Sequence, residues 1–392
     1  MITIEKPIDL PDTYPLDRIG PLEELLFFDI ETTGFSGDYS SLYLVGCTCY
    51  KGGAWHLVQW FADTRDSEEG LLHAFFAFLG QYRILVHFNG DGFDIPFLLK
   101  RCRHFGLSYD FSGVESFDIY KRIRPFRKLL GLESMKQKAI EQFLGVERQD
   151  RFSGGQLVEV YEDYLHSQDR HLYDLLILHN EDDLKGMPRI LPVLSYPDFL
   201  EHDFSLVSWQ VSGGTRPAAV SPSPADPRPS APDPSSGSCP SSAPTLELVC
   251  QSSFRVPVPF AARSGLVWCR VQDCRLYLTV RLYQGIMKHF YPNYKDYYYL
   301  VYEDTAVHKS VGEYVDRSAR TRATAATCYT RMEGTFVPQF VPIWEPVMKL
   351  EPRDRLPYVP LEQMHLEDPD AFRLYVKELL AQLVLHCGNN GE

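Results

Sequence analysis

Four acidic residues and one histidine hold the chemistry that this sequence can offer. Asp29 and Glu31 sit in Phe-Phe-Asp-Ile-Glu-Thr-Thr-Gly, at the end of an apolar run. Side chains of an extended chain alternate between faces, so both carboxylates point the same way. Asp94 follows in His-Phe-Asn-Gly-Asp-Gly-Phe-Asp-Ile-Pro, where Asn89 and Gly90 suit a tight turn. His179 and Asp183 lie four apart in Leu-His-Asn-Glu-Asp-Asp-Leu and share one face of a helix. Taken singly, each has a plain reading: a solvated strand end, a helix N-cap at Asp94, an acidic helix end. Taken together they are a problem of charge. At roughly 5 Å and an effective dielectric near 20, each pair of carboxylates repels by about 3 kcal/mol. Protonation relieves part of this. Divalent cations relieve it better, and oxygen ligands favour Mg²⁺ or Mn²⁺ over Zn²⁺. Two such ions about 3.5–4 Å apart can hold the attacking and leaving oxygens of a phosphoryl displacement. His179 would then orient the attacking water or take its proton.

Secondary structure must bring these residues together. Leu25 to Ile30 reads as a buried strand, and Leu42 to Tyr50 and Ala54 to Phe61 as two more, joined at Lys51-Gly52-Gly53. Glu68 to Leu79 has helical periodicity, with Leu71, Leu72, Phe75, Phe76 and Leu79 on one side. Ile84 to Phe88 and Ser116 to Ile119 are further strands. Helices are expected at Pro96 to Phe105, Glu133 to Leu144, Gln156 to His166 and Arg170 to Gly186, with Arg101 and Arg103 on a solvated side. The order is three strands in an antiparallel meander, then strands arriving through helices and parallel to the first. The expected fold is an α/β, five-stranded mixed sheet flanked by helices.

The 39 basic and 52 acidic residues leave a net charge of −13, which excludes a cationic coat for nucleic acid or for an anionic membrane. Nine cysteines are an odd number, thinly spread, and Cys47 and Cys49 read as buried thiols. With no signal-like N-terminus and no long apolar run, a cytoplasmic protein with no membrane contact is expected. Residues 212–245 are rich in Pro, Ser and Ala and cannot bury enough apolar area to order themselves, so a disordered linker is expected there. Residues 246–392 read as a smaller, mainly-β C-terminal domain of unknown function with a terminal helix from Asp370 to His386. Its Lys288-His-Phe-Tyr-Pro-Asn-Tyr-Lys-Asp-Tyr-Tyr-Tyr run either stacks bases or fills a core.

The acid motifs resemble those of the DEDD 3′–5′ exonuclease superfamily within the ribonuclease H-like fold. Asp29-Ile-Glu31 is similar to its first motif, Asn89 through Phe93-Asp94 to its second, and His179 with Asp183 to its third. The second motif has the form seen in family B polymerase proofreading domains and YprB-like domains. Leu130-Gly-Leu-Glu-Ser-Met-Lys and Gly145 to Asp150 extend the YprB-like resemblance over residues 22–195. The resemblance supplies the sheet order that sets the first strand beside the fourth. It implies two Mg²⁺ or Mn²⁺ ions on Asp29, Glu31, Asp94 and Asp183, and hydrolysis of DNA or RNA from a 3′ end. It also implies nucleic-acid contacts from Thr32, Asn89 and Phe93, and a groove beside Arg124, Arg127 and Lys128. Those three belong to a cluster with Lys121 and Arg122 that reads either as a phosphate-binding strip or as a solvated face. One departure stands out: His179 has the histidine branch's side chain at the tyrosine branch's spacing. Imidazole and phenol differ by about 3.5 pKa units. A non-catalytic nucleic-acid-binding module is therefore the alternative to an exonuclease.

Overall fold

The computed structural model describes residues 1–147, 154–213 and 243–387. Two compact units form, Met1–Asp198 with Val256–Val258, and Phe199–Arg255 with Pro259–Glu392.

In the first unit, strands β1 (Ile2–Ile8), β2 (Leu25–Thr32), β3 (Leu42–Lys51), β4 (Ala54–Phe61), β5 (Ile84–His87) and β6 (Glu115–Asp118) form one sheet. Its order is β1-β4-β3-β2-β5-β6. The first four neighbours pair antiparallel, and β2, β5 and β6 run parallel. The sheet therefore has one strand more than the five expected. The added strand reads Ile-Thr-Ile-Glu-Lys-Pro-Ile and pairs from Ile2 with Phe61 to Ile8 with Trp55. Only alternate positions are half-buried, and Pro7 is tolerable because the strand is at the edge. Its polar half hid the pattern.

Helices α1 (Glu68–Leu79), α2 (Asp94–His104), α3 (Ile119–Ile123), α4 (Gln137–Leu144), α5 (Gly154–Ser167) and α6 (Arg170–Ile190) flank this sheet. The helix expected from Glu133 begins later, at Gln137. β2 is central and nearly all buried, which is why its sequence is a continuous apolar run. Gly52 and Gly53 both take positive φ, 59° and 84°, as the tight β3–β4 turn requires.

Arg101 corrects the expectation of a solvated helix side. It is buried on α2 and faces Glu68, the first residue of α1. Its Nε and Nη2 donate to the two Glu68 oxygens, the second at 2.8 Å, and Nη1 donates to the Gly37 carbonyl at 3.1 Å. Glu68 also accepts the Leu42 amide at 2.9 Å. One ion pair thus ties α1, α2, the start of β3 and the loop that follows β2.

After α7 (Ser195–Glu201), the second unit is mainly β. Strands β7 (Ser205–Ser212), β8 (Thr245–Gln251), β9 (Phe260–Ser264), β10 (Val267–Gln272) and β11 (Arg275–Arg281) make a five-stranded antiparallel sheet ordered β7-β8-β11-β10-β9. Two three-stranded sheets follow. One contains β12 (Tyr283–Phe290), β16 (Tyr329–Pro338) and β17 (Tyr358–Pro360). The other contains β13 (Tyr297–Leu300), β14 (Thr305–His308) and β15 (Arg320–Arg322). Short α8 (Lys309–Gly312) precedes β15, and α9 (Pro369–His386) ends the described chain with Asp368 capping its first amides. Tyr291, Tyr294, Tyr297 and Tyr299 pack on buried Ala306, Ala323 and Cys328, so the tyrosine-rich run builds a core.

The expected boundary at 212–245 moves. Ser212 ends β7, Thr245 begins β8, and the two residues are register partners. The Pro/Ser-rich segment therefore connects two paired strands of the second unit, and the units divide at 198/199. Composition could not reveal this, because pairing joins residues on either side of the segment. The expected disorder falls on 214–242, outside the described residues.

Removing one member of a buried ion pair strands the other charge. Arg101→Met is expected to lower unfolding free energy by about 3–5 kcal/mol, measured by urea denaturation.

Candidate active site

Strand alternation places Asp29 and Glu31 on one face of β2, with Ile30 between them turned into the core. The β2–β3 register shifts between Glu31 and Thr32, so the strand bends where its acids end. β5 lies parallel to β2 and leads into a turn from Asn89 to Phe93. Asn89 has φ of 66°, a left-handed conformation that Asn tolerates. The Gly90 amide donates to His87 Nδ1 at 3.0 Å, and a Cβ on Gly90 would come within 2.7 Å of that ring. The turn therefore closes tightly and starts α2 at Asp94.

Asp94 is buried beside β2 and accepts the Ile30 amide as well as its own. Burial, helped by the charge of Asp118, pushes its carboxyl up to about 7 against those two hydrogen bonds. Asp29 is held well above the usual carboxylate range. Burial is the main cause, followed by the charges of Glu31, Asp183 and Asp94. Asp29 thus feels all three other acids of the sequence motifs.

α6 brings the third motif. His179 is buried, with Nε2 at 3.7 Å from Glu31 Oε1 and 3.5 Å from Asp183 Oδ2. Ligand atoms of Glu31, His179 and Asp183 all lie within 4.8 Å of one another. The donors are carboxylate oxygens with one imidazole, and burial and like charge both disfavour ionised Asp29. Such a nest fits hard divalent cations. Asn180, next to His179, was not singled out from the sequence. Its amide donates to Asp29 Oδ2 at 3.0 Å. The available signal was Gly46 inside an apolar strand, a common mark of close approach by another element.

The expected nucleic-acid contacts divide. Phe93 caps α2, half-buried, its ring 6.3 Å from exposed Phe35. Asn89 lines a recess of about 440 Å³ with Phe88, Tyr120, Ser134, Lys136 and Gln137. Gln137 donates from that recess to the Asp183 carbonyl at 3.1 Å. Thr32 donates to the Gly34 carbonyl at 2.9 Å and shapes the loop after β2. Arg124 and Lys128 are exposed. Arg127 is exposed as well, and donates to the Leu132 and Glu133 carbonyls at 3.2 and 2.6 Å. Lys121 pairs with Asp91 at 2.6 Å, and Arg122 lies over the Phe117 ring at 4.0 Å.

Residues 26–195 match the family model described as the RNase_H superfamily. Together with the mixed sheet and its flanking helices, that match decides the fold. Residues 26–195 form a ribonuclease H-like domain. Among curated proteins, DNA polymerase 1 of Aeropyrum pernix is 30% identical over 76 residues, 18% of this chain and 8% of the polymerase. Among solved structures, the family B DNA polymerase of Pyrobaculum calidifontis matches at 17% identity and a TM-score of 0.37. That match covers 45% of this chain and 25% of the polymerase. The chain thus spans a minor part of each. The ribonuclease H-like domain has a nuclease-type fold, and nucleases of this fold use divalent metal ions. No helix among the described residues is long and apolar enough to cross a membrane.

The folded pKa of Asp94 lies above its unfolded value. Its contribution to stability is thus fully present below about pH 4 and lost as pH rises through about 7. Asp29 acts in the same direction. The thermal midpoint of the metal-free protein should fall as pH rises from about 5.5 to about 8. Asp94→Asn should flatten that slope, and calorimetry across the range checks both.

Proposed function

We propose that the ribonuclease H-like domain is a metal-dependent 3′–5′ exonuclease of DEDD type, with residues 22–195 as its catalytic part. It would hydrolyse phosphodiester bonds at the 3′ end of DNA or RNA. The supporting observation is geometric: His179 Nε2 of α6 lies 3.7 Å from Glu31 and 3.5 Å from Asp183, and Asn180 beside it donates to Asp29 at 3.0 Å. Asp29, Glu31, Asp94 and Asp183 would hold two Mg²⁺ or Mn²⁺ ions. When bound, the ions neutralise the nest and polarise the phosphoryl group. His179 Nε2 faces that nest and would orient the attacking water or accept its proton. Asn89, Phe93 and Thr32 flank the second and first motifs, where a strand end would enter. Arg124 and Lys128 are exposed and would contact phosphates without reading sequence.

The resemblance to polymerase proofreading domains favours a nucleic-acid substrate. The eight described cysteines are all unpaired, which supports a reducing, cytoplasmic setting. A second reading, binding without turnover, draws on the unusual placing of His179.

The test uses 3′- and 5′-labelled DNA and RNA strands with Mg²⁺ or Mn²⁺. Stepwise loss from the 3′ end is expected, with a reduction on the order of 10³-fold for Asp29→Ala and Asp94→Asn. Equal degradation in EDTA, or undiminished degradation by Asp94→Asn, would overturn the exonuclease reading. Ion binding without any turnover would favour the second one.

A further inference from the structure

We infer that Gln59 and Asn180 form a neutral strut across β3 that sets the position of Asp29 relative to the third motif. They are positioning residues for the metal nest. This rests on the proposed metal-dependent reaction and concerns residues outside its motifs.

The strut follows a line across three strands. Asp29 of β2 pairs with Gly46 of β3, and Gly46 pairs with Gln59 of β4. Asn180 of α6 lies over the middle of that line. A Cβ on Gly46 would come within 2.0 Å of Asn180 Oδ1 and 2.5 Å of Leu184 Cδ1. The vacant place on β3 is therefore occupied by the Asn180 amide. Asn180 and Gln59 are both fully buried.

The hydrogen bonds run in one direction. The Ile177 carbonyl can only accept, so the Gln59 amide must turn its Nε2 toward it, at 3.1 Å. The same Nε2 donates to Asn180 Oδ1 at 3.0 Å. With its oxygen committed to Gln59, Asn180 presents Nδ2 to Asp29 Oδ2, at 3.0 Å. The backbone of α6 thus dictates which way both amides face, and the chain ends on a nest carboxylate. Gln59 Oε1 is buried with no hydrogen-bond partner, so the orientation is kept although it leaves an acceptor unmet. An amide suits this place because it binds one oxygen of Asp29 without adding charge to a crowded set of acids. His179 and Asp183 lie on either side of Asn180 along α6. The strut therefore fixes the spacing between the two halves of the nest.

Outer-shell partners of this kind typically change metal affinity 10–100-fold. The test is a Mn²⁺ titration of the full chain, followed by calorimetry and by the electron-spin signal of free Mn²⁺. Wild type is compared with Asn180→Leu, Gln59→Leu and Asp29→Ala. Circular dichroism of each metal-free variant reports whether it is folded. Asn180→Leu keeps a similar volume but loses both the donor and the acceptor, and should weaken Mn²⁺ binding at least 10-fold. Gln59→Leu leaves Asn180 present but unoriented, and should weaken it several-fold. Folded variants that bind Mn²⁺ within twofold of wild type, while Asp29→Ala does not, would overturn the strut. If Asp29→Ala also binds like wild type, it is the metal-dependent reading that fails.

Discussion

The approach of helix α6 to the sheet depends on a side chain that is missing. Gly46 sits in the middle of β3, between Asp29 and Gln59, where any Cβ would strike Asn180. Because it is glycine, α6 can lie close enough for its amide to reach a β2 carboxylate. His179, adjacent to that amide, then comes to Glu31, and Asp183 comes within 3.5 Å of His179. The cost shows in the raised carboxyl of Asp29, where burial leads and the charges of Glu31, Asp183 and Asp94 follow. The surrounding framework must be stiff enough to bear that cost. A continuous apolar core around β2, β3 and α1 supplies much of this, and the buried pair of Arg101 and Glu68 braces the loop that follows the β2 acids.

Local rules made much of this legible in the sequence. Alternation in an extended run put Asp29 and Glu31 on one face, and helical spacing did the same for His179 and Asp183. The turn residues before Asp94 marked where α2 starts. Each of these depends on neighbours within a few residues, so the sequence carries it openly. The parts that stayed hidden depend on distant partners. Arg101 looks like a solvated helix residue until Glu68, far off in the chain, is set beside it. The bonds from Arg127 to the carbonyls of Leu132 and Glu133 likewise depend on how the following loop folds back. β1 was obscured for another reason: an edge strand buries one side only, so its apolar residues are too sparse to stand out.

The second unit teaches the same lesson about tyrosine. A run dense in aromatic rings and lysines has the composition of a base-stacking surface. Here the rings at 291, 294, 297 and 299 instead close over Ala306, Ala323 and Cys328. Tyr291 and Tyr297 stack at 4.9 Å.

The pairing of Ser212 with Thr245 bears on how this chain can change over time. The proline-rich stretch leaves the sheet and re-enters it at adjacent points, and the two strands themselves hold those points together. Residues gained or lost between them leave both strand registers intact. The stretch is thus a place where length and composition are free to drift, or where a foreign segment could be grafted, without breaking the β7–β8 pairing.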